Sequence, residues 1–249
     1  MIYRRSFKLF DYLFLKQIII IIVCFFIGFI AQAQQHELYR PNHDNWPYYF
    51  GLTLAYNSST LHPSKNPLFL QNDSILSVEP GASGGIALGL LATMKLSNRF
   101  EFRVNPQLIV GGSKFFTYTL KYPLANETTV EKKTLPSTIV SFPFQIKFNS
   151  DRIQNFRVYM MGGLKYDIDL ASNSGARNAE DLIKLKKFDL GYEAGIGFNF
   201  YLRFVTFSPE LKVSNGFSNI HARDANLKFS NVLDKLQSQM LVLSFNLED

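Results

Sequence analysis

A chain of 249 residues with 24 Phe, 12 Tyr, a formal charge of +6 and one cysteine is rich in strand-favouring, interface-seeking rings and nearly devoid of thiol chemistry. That cysteine, Cys24, lies in an apolar N-terminal run predicted to be removed, which excludes disulfides and cysteine catalysis in the mature protein. Four bases (Arg4, Arg5, Lys8, Lys16) and one acid (Asp11) leave with it, so the +6 falls to +3, too small an excess for nucleic-acid binding.

Those bases precede the apolar residues 18–30, and Ala31-Gln32-Ala33 follows with the small side chains a signal peptidase accepts. Residues 1–33 therefore read as a cleaved export signal, with the apolar run too short for a retained transmembrane helix. Residues 34–47, polar and containing His36, His43 and Pro41, read as a periplasmic N-terminal lead-in, and residues 48–249 as one barrel domain.

In the barrel the signal is a period of two. Phe50, Leu52, Leu54 and Tyr56 alternate with Gly51, Thr53 and Ala55, giving a first strand. Residues 58–81, with Pro63, Pro67 and Pro80, predict a long loop. A second strand sets Ile86, Leu88, Leu90, Ala92, Met94 and Leu96 against Gly85, Ala87, Gly89, Leu91, Thr93 and Lys95, and Ser97-Asn98 turns the chain. The return strand sets Phe100, Phe102, Val104, Pro106, Leu108 and Val110 against Glu101, Arg103, Asn105 and Gln107, a polar row that no soluble core takes without a partner for each group.

Residues 115–122 extend this strand, and residues 123–133 predict a polar loop. Further strands run through Val140–Phe148 and Phe156–Leu170, with a long loop over 171–187. A hairpin then runs from Phe188 to Ser214, whose two strands reach or exceed the roughly 9–11 residues that cross a bilayer at a tilt. Residues 215–235 form another long connection, in which Val232, Leu233 and Leu236 suit one helical turn. A last strand places Leu241, Leu243, Phe245 and Leu247 opposite Val242, Ser244 and Asn246. About eight strands joined by alternating long and short connections predict an all-β transmembrane antiparallel up-and-down barrel of the bacterial outer membrane, with long external loops and short periplasmic turns. Both chain ends fall on the short-turn side.

A barrel of this size has room inside only for its own side chains. Glu101, Arg103, Lys147, Arg157, Lys165, Asp167, Asp169, Asp189, Glu193, Glu210 and Lys212 fall on the inward face, and their mixed signs predict a salt-bridged polar network, not a proton path or pore. Asp167 and Asp169 share a face, but Lys165 and Arg157 beside them argue against a metal. The glycine pairs and the run Gly191, Gly195, Gly197 match no phosphate-cradling fingerprint, so no cofactor is expected. His62 and His221, on the first and last long loops, could pair with Ser58, Ser59 or Asp224, yet no Ser-His spacing signature accompanies them and the chain does not read as an enzyme. Loop bases could touch lipopolysaccharide phosphates, but Glu127, Glu131, Glu180, Asp181 and Asp224 lie among them, so a solvated mixed surface is the simpler account; the partners expected of the barrel itself are outer-membrane lipid and lipopolysaccharide.

Several segments are familiar in their order. Asn155-Phe-Arg-Val-Tyr159, Gly162-Gly-Leu-Lys-Tyr-Asp-Ile-Asp-Leu-Ala-Ser-Asn173, Ala176-Arg177, Ala179-Glu-Asp181, Phe207-Ser-Pro-Glu-Leu-Lys212, Ser214-Asn-Gly216 and Ser230-Asn-Val-Leu-Asp234 resemble the PorT (also SprT) family over most of the mature chain. The resemblance implies a small outer-membrane barrel of the type IX secretion system, the protein exporter that also supports gliding motility in some bacteria. It implies an assembly or accessory component with no catalytic motif. Its loop motif here, residues 171–181, implies contact with other secretion-system subunits or cargo through Asn173, Arg177, Glu180 and Asp181. The alternatives are a lipid-modifying or proteolytic barrel enzyme, and a stand-alone small channel or adhesion barrel.

Overall fold

The computed structural model describes residues 37–66, 75–123, 128–172, 183–222 and 228–249. Among these residues twelve strands are found: β1 (Tyr48–Lys65), β2 (Ile75–Gly81), β3 (Ser83–Lys95), β4 (Phe100–Val104), β5 (Gln107–Gly111), β6 (Lys114–Leu120), β7 (Val130–Leu135), β8 (Thr138–Asn149), β9 (Phe156–Asp169), β10 (Phe188–Tyr201), β11 (Thr206–Gly216) and β12 (Leu233–Glu248). Nine of them form one antiparallel sheet that closes on itself, because β1 pairs with β12 on one side and with β3 on the other. β4 and β5 are two halves of one stave, interrupted at Asn105-Pro106 and flanked by β3 and β8 along their length. The barrel thus has eight staves, in the order β1, β12, β11, β10, β9, β8, β4–β5, β3. Closure removes every open edge from this wall, the condition a sheet must meet to cross hydrocarbon.

The outward face is a belt of Leu, Ile, Val and Phe. Leu52, Leu54, Leu88, Leu90, Ile196, Phe198, Leu243 and Phe245 are all exposed, while their sequence neighbours Thr53, Ala87, Asn199, Ser244 and Asn246 are buried. In water such a surface would drive aggregation. Facing lipid, it is the stabilising surface. No helix among the described residues is long and apolar enough to cross a membrane.

Two departures from the sequence reading concern the long-loop end. Residues 58–81 were expected to form a loop, but β1 continues through Pro63 to Lys65, paired with β12 from Leu233 onward. Above Ser59, β1 pairs only with β12, and such an edge tolerates proline. Beyond the barrel rim β2, β6 and β7 then form a separate three-stranded antiparallel sheet, so Val130–Lys133, expected as polar loop, begins a strand. Gly111 and Gly112, with φ of +82° and +68°, make the bend that carries the chain from β5 in the wall to β6 above it. The helical turn expected near Val232 falls at Lys228–Asn231, while Leu233 and Leu236 belong to β12.

The upper sheet covers an apolar core of its own. Leu61, Ile75, Val78, Phe116, Tyr118, Leu120, Leu135, Ile183, Leu185, Ile220, Phe229, Val232, Leu233 and Leu236 are buried together there. Tyr118 and Phe229 meet edge to face with centroids 4.9 Å apart. This capping domain is why the first and last staves outrun the bilayer: their upper halves serve a second core, not the lipid.

Replacing Leu243, near the middle of the β12 belt, with Arg should destabilise the reconstituted barrel by about 2–4 kcal/mol. Urea titration in lipid vesicles measures this, and the same substitution outside the belt, at Gln237, is expected to cost far less.

Candidate functional site

Closing eight staves fixes the width of the lumen, and the inward side chains fill it. Arg103 on β4 crosses the full diameter. Its guanidinium donates to Glu210 on β11 and Glu248 on β12, each at 2.5 Å, and its Nε donates to Thr93 at 3.2 Å. Tyr159 on β9 donates to the same Glu210 at 2.6 Å, and Lys212 stands 3.5 Å from its other oxygen. Lys147 on β8 pairs with Glu101 at 3.3 Å, while Tyr49 donates to Glu101 at 2.8 Å. The Lys147 ammonium also lies 4.1 Å from the Tyr159 ring centroid. Three cations therefore meet three carboxylates in one fully buried layer, and Gln145 donates to Glu193 beside it.

A second polar group sits nearer the long-loop end. Lys165 pairs with Asp167 at 2.6 Å, Ser141 donates to Asp167, and Ser238 donates to Asp189. Asp169 takes Ser137 at 3.5 Å, at the upper rim. Buried Lys114, which the sequence reading missed, lines the same small cavity as Asp167, Asp169 and Asp189. On the β12–β1–β3–β5–β8 side the lumen wall is apolar instead, with Ala55, Ala87, Ile109, Ile139, Met240 and Val242 packed together.

Large interior side chains need small neighbours. A Cβ added at Gly197 would strike the Tyr159 ring, so this glycine is what lets Tyr159 reach Glu210. Glu248, the second partner of Arg103, was also missed. The signal was present: Val242, Ser244, Asn246 and Glu248 continue one inward register.

The short-turn end is sealed by the lead-in. Arg40 donates to the Glu248 carbonyl at 3.0 Å and to Thr206 at 3.1 Å, and its own carbonyl accepts from Arg152 at 3.2 Å. Those contacts hold Arg40 in the left-handed region, φ 53°. Asp44 binds Arg152 at 3.3 Å and Arg157 at 3.0 Å, which puts Arg157 at the mouth and not in the buried layer. His43 packs on Tyr49 and Tyr201, and its Nε2 donates to the Asp249 carbonyl at 3.0 Å. Burial, then the nearby Arg40 charge, pushes the His43 imidazole below its ordinary value of 6.5, against opposing pulls from the Asp249 carbonyl, Glu248 and Asp44.

The histidines considered for chemistry do not come together with the expected partners. His62 is exposed on β1, opposite Gln237, on the same strand as Ser58 and Ser59. His221 is buried in the cap, with Nε2 2.9 Å from Ser230 Oγ and Nδ1 3.4 Å from the Asp234 carbonyl. That is the order of a base and an oriented hydroxyl, but Ser230 has no exposed surface, and a nucleophile must reach its substrate. Asn173, Arg177, Glu180, Asp181 and Asp224 lie outside the described residues.

A family model described as outer membrane protein beta-barrel domain matches residues 32–222. Among solved structures, the chain is similar to the outer membrane protein OprG from Pseudomonas aeruginosa at 15% identity, covering 81% of this chain and 95% of that one with a TM-score of 0.42. It is similar to Neisserial surface protein A at 11% identity, covering 80% and 96% with a TM-score of 0.40. It is also similar to Ail, the attachment invasion locus protein of Yersinia pestis, at 7% identity, covering 82% and 100% with a TM-score of 0.36. No curated protein matches the chain in sequence.

Two expected outcomes follow from this geometry. Arg103→Met leaves Glu210 and Glu248 buried without their cation and should cost about 3–5 kcal/mol, with Glu210→Gln and Glu248→Gln in the same chain restoring part of the loss; the urea midpoint of the three proteins reads both effects. For the lead-in, a lowered folded-state value means the neutral imidazole favours docking, so docking is complete above pH 6.5 and weakens as the pH falls below it. The emission of Trp46, the single tryptophan, 5.3 Å from the His43 ring, should shift between pH 7.5 and 5.5 and stay constant in His43→Gln.

Proposed function

This chain belongs to the family of outer membrane protein beta-barrel domains, and we propose that within it the protein is a non-enzymatic component of the type IX protein secretion system, acting in assembly or as a scaffold. The family implies the bacterial outer membrane, so the long-loop end with its capping sheet faces outward and the lead-in faces the periplasm. An N-terminal signal over residues 1–33 would deliver it there.

The observation that carries the scaffold part of the reading is the filled lumen. The Arg103 layer spans the barrel from β4 to β11 and β12, the lead-in packs beneath it, and the cap core packs above the wall. A barrel so occupied is suited to holding surfaces in place on both sides of the membrane, not to passing solutes. The secretion part rests on the resemblance of ordered segments to the PorT family, most of which fall on β9, β11 and the connection after β9.

Partner contact is proposed for the connection that leaves the described structure after Ser172 and returns at Ile183. Both flanks are fixed: Ser172 donates to the Leu185 carbonyl at 2.7 Å, and Leu185 bridges to His221 in the cap. Asn173, Arg177, Glu180 and Asp181 are the residues proposed to contact other secretion-system subunits or cargo. Support of gliding motility would follow from the same export role.

Deleting the gene should trap reporter cargo in the periplasm, with export restored from a plasmid. Arg177→Ala with Glu180→Ala should impair export while leaving barrel abundance and heat-modifiability unchanged. Normal export in the deletion strain contradicts the secretion reading; normal export in the double variant contradicts only the assigned contact.

A further inference from the structure

On three neighbouring staves the outward face changes chemistry at one level, while on β10 it stays apolar beyond that level through Leu190 and Phe188. On β12 the belt residues Leu247, Phe245, Leu243 and Leu241 give way to Gln239 and Gln237; on β1 Leu52, Leu54 and Tyr56 give way to Ser58, Thr60 and His62; on β11 Leu211 and Val213 give way to Asn215. The register puts Thr60 and Asn215 on either side of Gln239, so the three staves change together. On these three staves that line ends the apolar belt, the level at which lipid headgroups and their sugars are met.

Directly above the line lies a cavity of about 490 Å³, lined by His62, Tyr192, Asn215, Phe217, Gln237 and Gln239 with backbone between them. The Tyr192 and Phe217 rings stack, with centroids 5.2 Å apart and planes at 24°. Both are held: Asn215 donates to the Tyr192 hydroxyl at 3.2 Å, and Gln237 donates to the Phe217 carbonyl at 3.4 Å. Among the described residues, the side chains of His62 and Gln239 make no hydrogen bond of their own.

Among the described residues, no Lys, Arg, Asp or Glu lines this cavity, although both signs are abundant in the cap and lumen. A phosphate or a cation would meet no counter-charge there. Amides and imidazole each offer donors and acceptors side by side, as a ring of hydroxyls requires, and an exposed aromatic face accepts the C–H face of such a ring. A purely apolar ligand would leave the amides unmatched.

We propose that this cavity is a binding site for a neutral sugar ring, with Tyr192 and Phe217 as the stacking platform and His62, Asn215, Gln237 and Gln239 as the hydroxyl-binding rim. The sugar belongs either to the core of a surface glycolipid, which the level of the site favours, or to a soluble glycan. The site depends on the outer-membrane placement alone and stands independently of the secretion reading.

Calorimetric titration of the purified barrel in detergent tests it with three probes: core oligosaccharide released from lipopolysaccharide by mild acid, lipid A alone, and a neutral hexose disaccharide. Binding of the oligosaccharide is expected, weakened about tenfold or more by Tyr192→Ala or Phe217→Ala and several-fold by His62→Ala with Gln239→Ala, with lipid A titrations unchanged. Heat-modifiability of each variant verifies its fold. Disaccharide binding as tight as the oligosaccharide assigns the site to soluble glycan, and weaker binding assigns it to the glycolipid core. No oligosaccharide binding by the parent protein, or binding that the substitutions leave intact, overturns the proposal, as does a parallel loss of lipid A binding.

Discussion

Arg103 reaches across the lumen to Glu210 and Glu248, and the architecture depends on that bridge. Eight staves leave a bore that only side chains can fill, and a charge placed there has no water to turn to. One guanidinium with its forked donors satisfies two carboxylates on adjacent staves from the opposite wall. Tyr159, Lys212, Lys147, Glu101 and Tyr49 then assemble around it, each holding a neighbour already held by another. Such a layer adds little net stability over an apolar filling, because desolvation offsets most of the attraction. What it supplies is a single register, since slipping one stave by a residue would turn its charged partner to the lipid.

The two ends extend the same logic by different means. At the periplasmic mouth the lead-in meets the chain's last residues and the β8–β9 turn through Arg40, His43, Asp44 and Arg152, so two distant parts of the sequence close one opening. At the external mouth an apolar core under a small sheet replaces polar pairing. The membrane-spanning wall between them is chemically plain on its outer face. The amide-and-aromatic cavity lies at the external rim of that wall.

Much of this was legible in the sequence where one physical rule governs. Along β3, β8, β10 and β11, lipid lies on one side and lumen on the other, and alternation follows directly. Glu101 and Lys147, directly opposite on neighbouring staves, and Arg103 and Glu210 could be placed inward from that alternation, though the pairing of Arg103 with Glu210 and Glu248 could not, because pairing across the bore is set by closure and not by spacing. The cap was illegible for the same reason inverted: Leu61, Leu233 and Leu236 bury against Phe116, Tyr118 and Phe229, so their strands no longer answer to the bilayer. Prolines there suggested a loop, yet Pro63 and Pro80 sit in strands at sheet edges. His43 read as part of an irregular lead-in, since its contacts are with Tyr49, Tyr201 and Asp249, and only the folded chain brings the last two near.

A barrel whose lumen is spanned by the Arg103 layer is proposed to hold surfaces rather than pass solutes. Planar-bilayer recording of the purified protein tests it most directly. Membranes that stay silent after verified insertion, across voltages of both signs, are the predicted result. Stable, ohmic openings that scale with the number of inserted barrels would contradict it, since Arg103 on Glu210 and Glu248 spans the bore from β4 to β11 and β12.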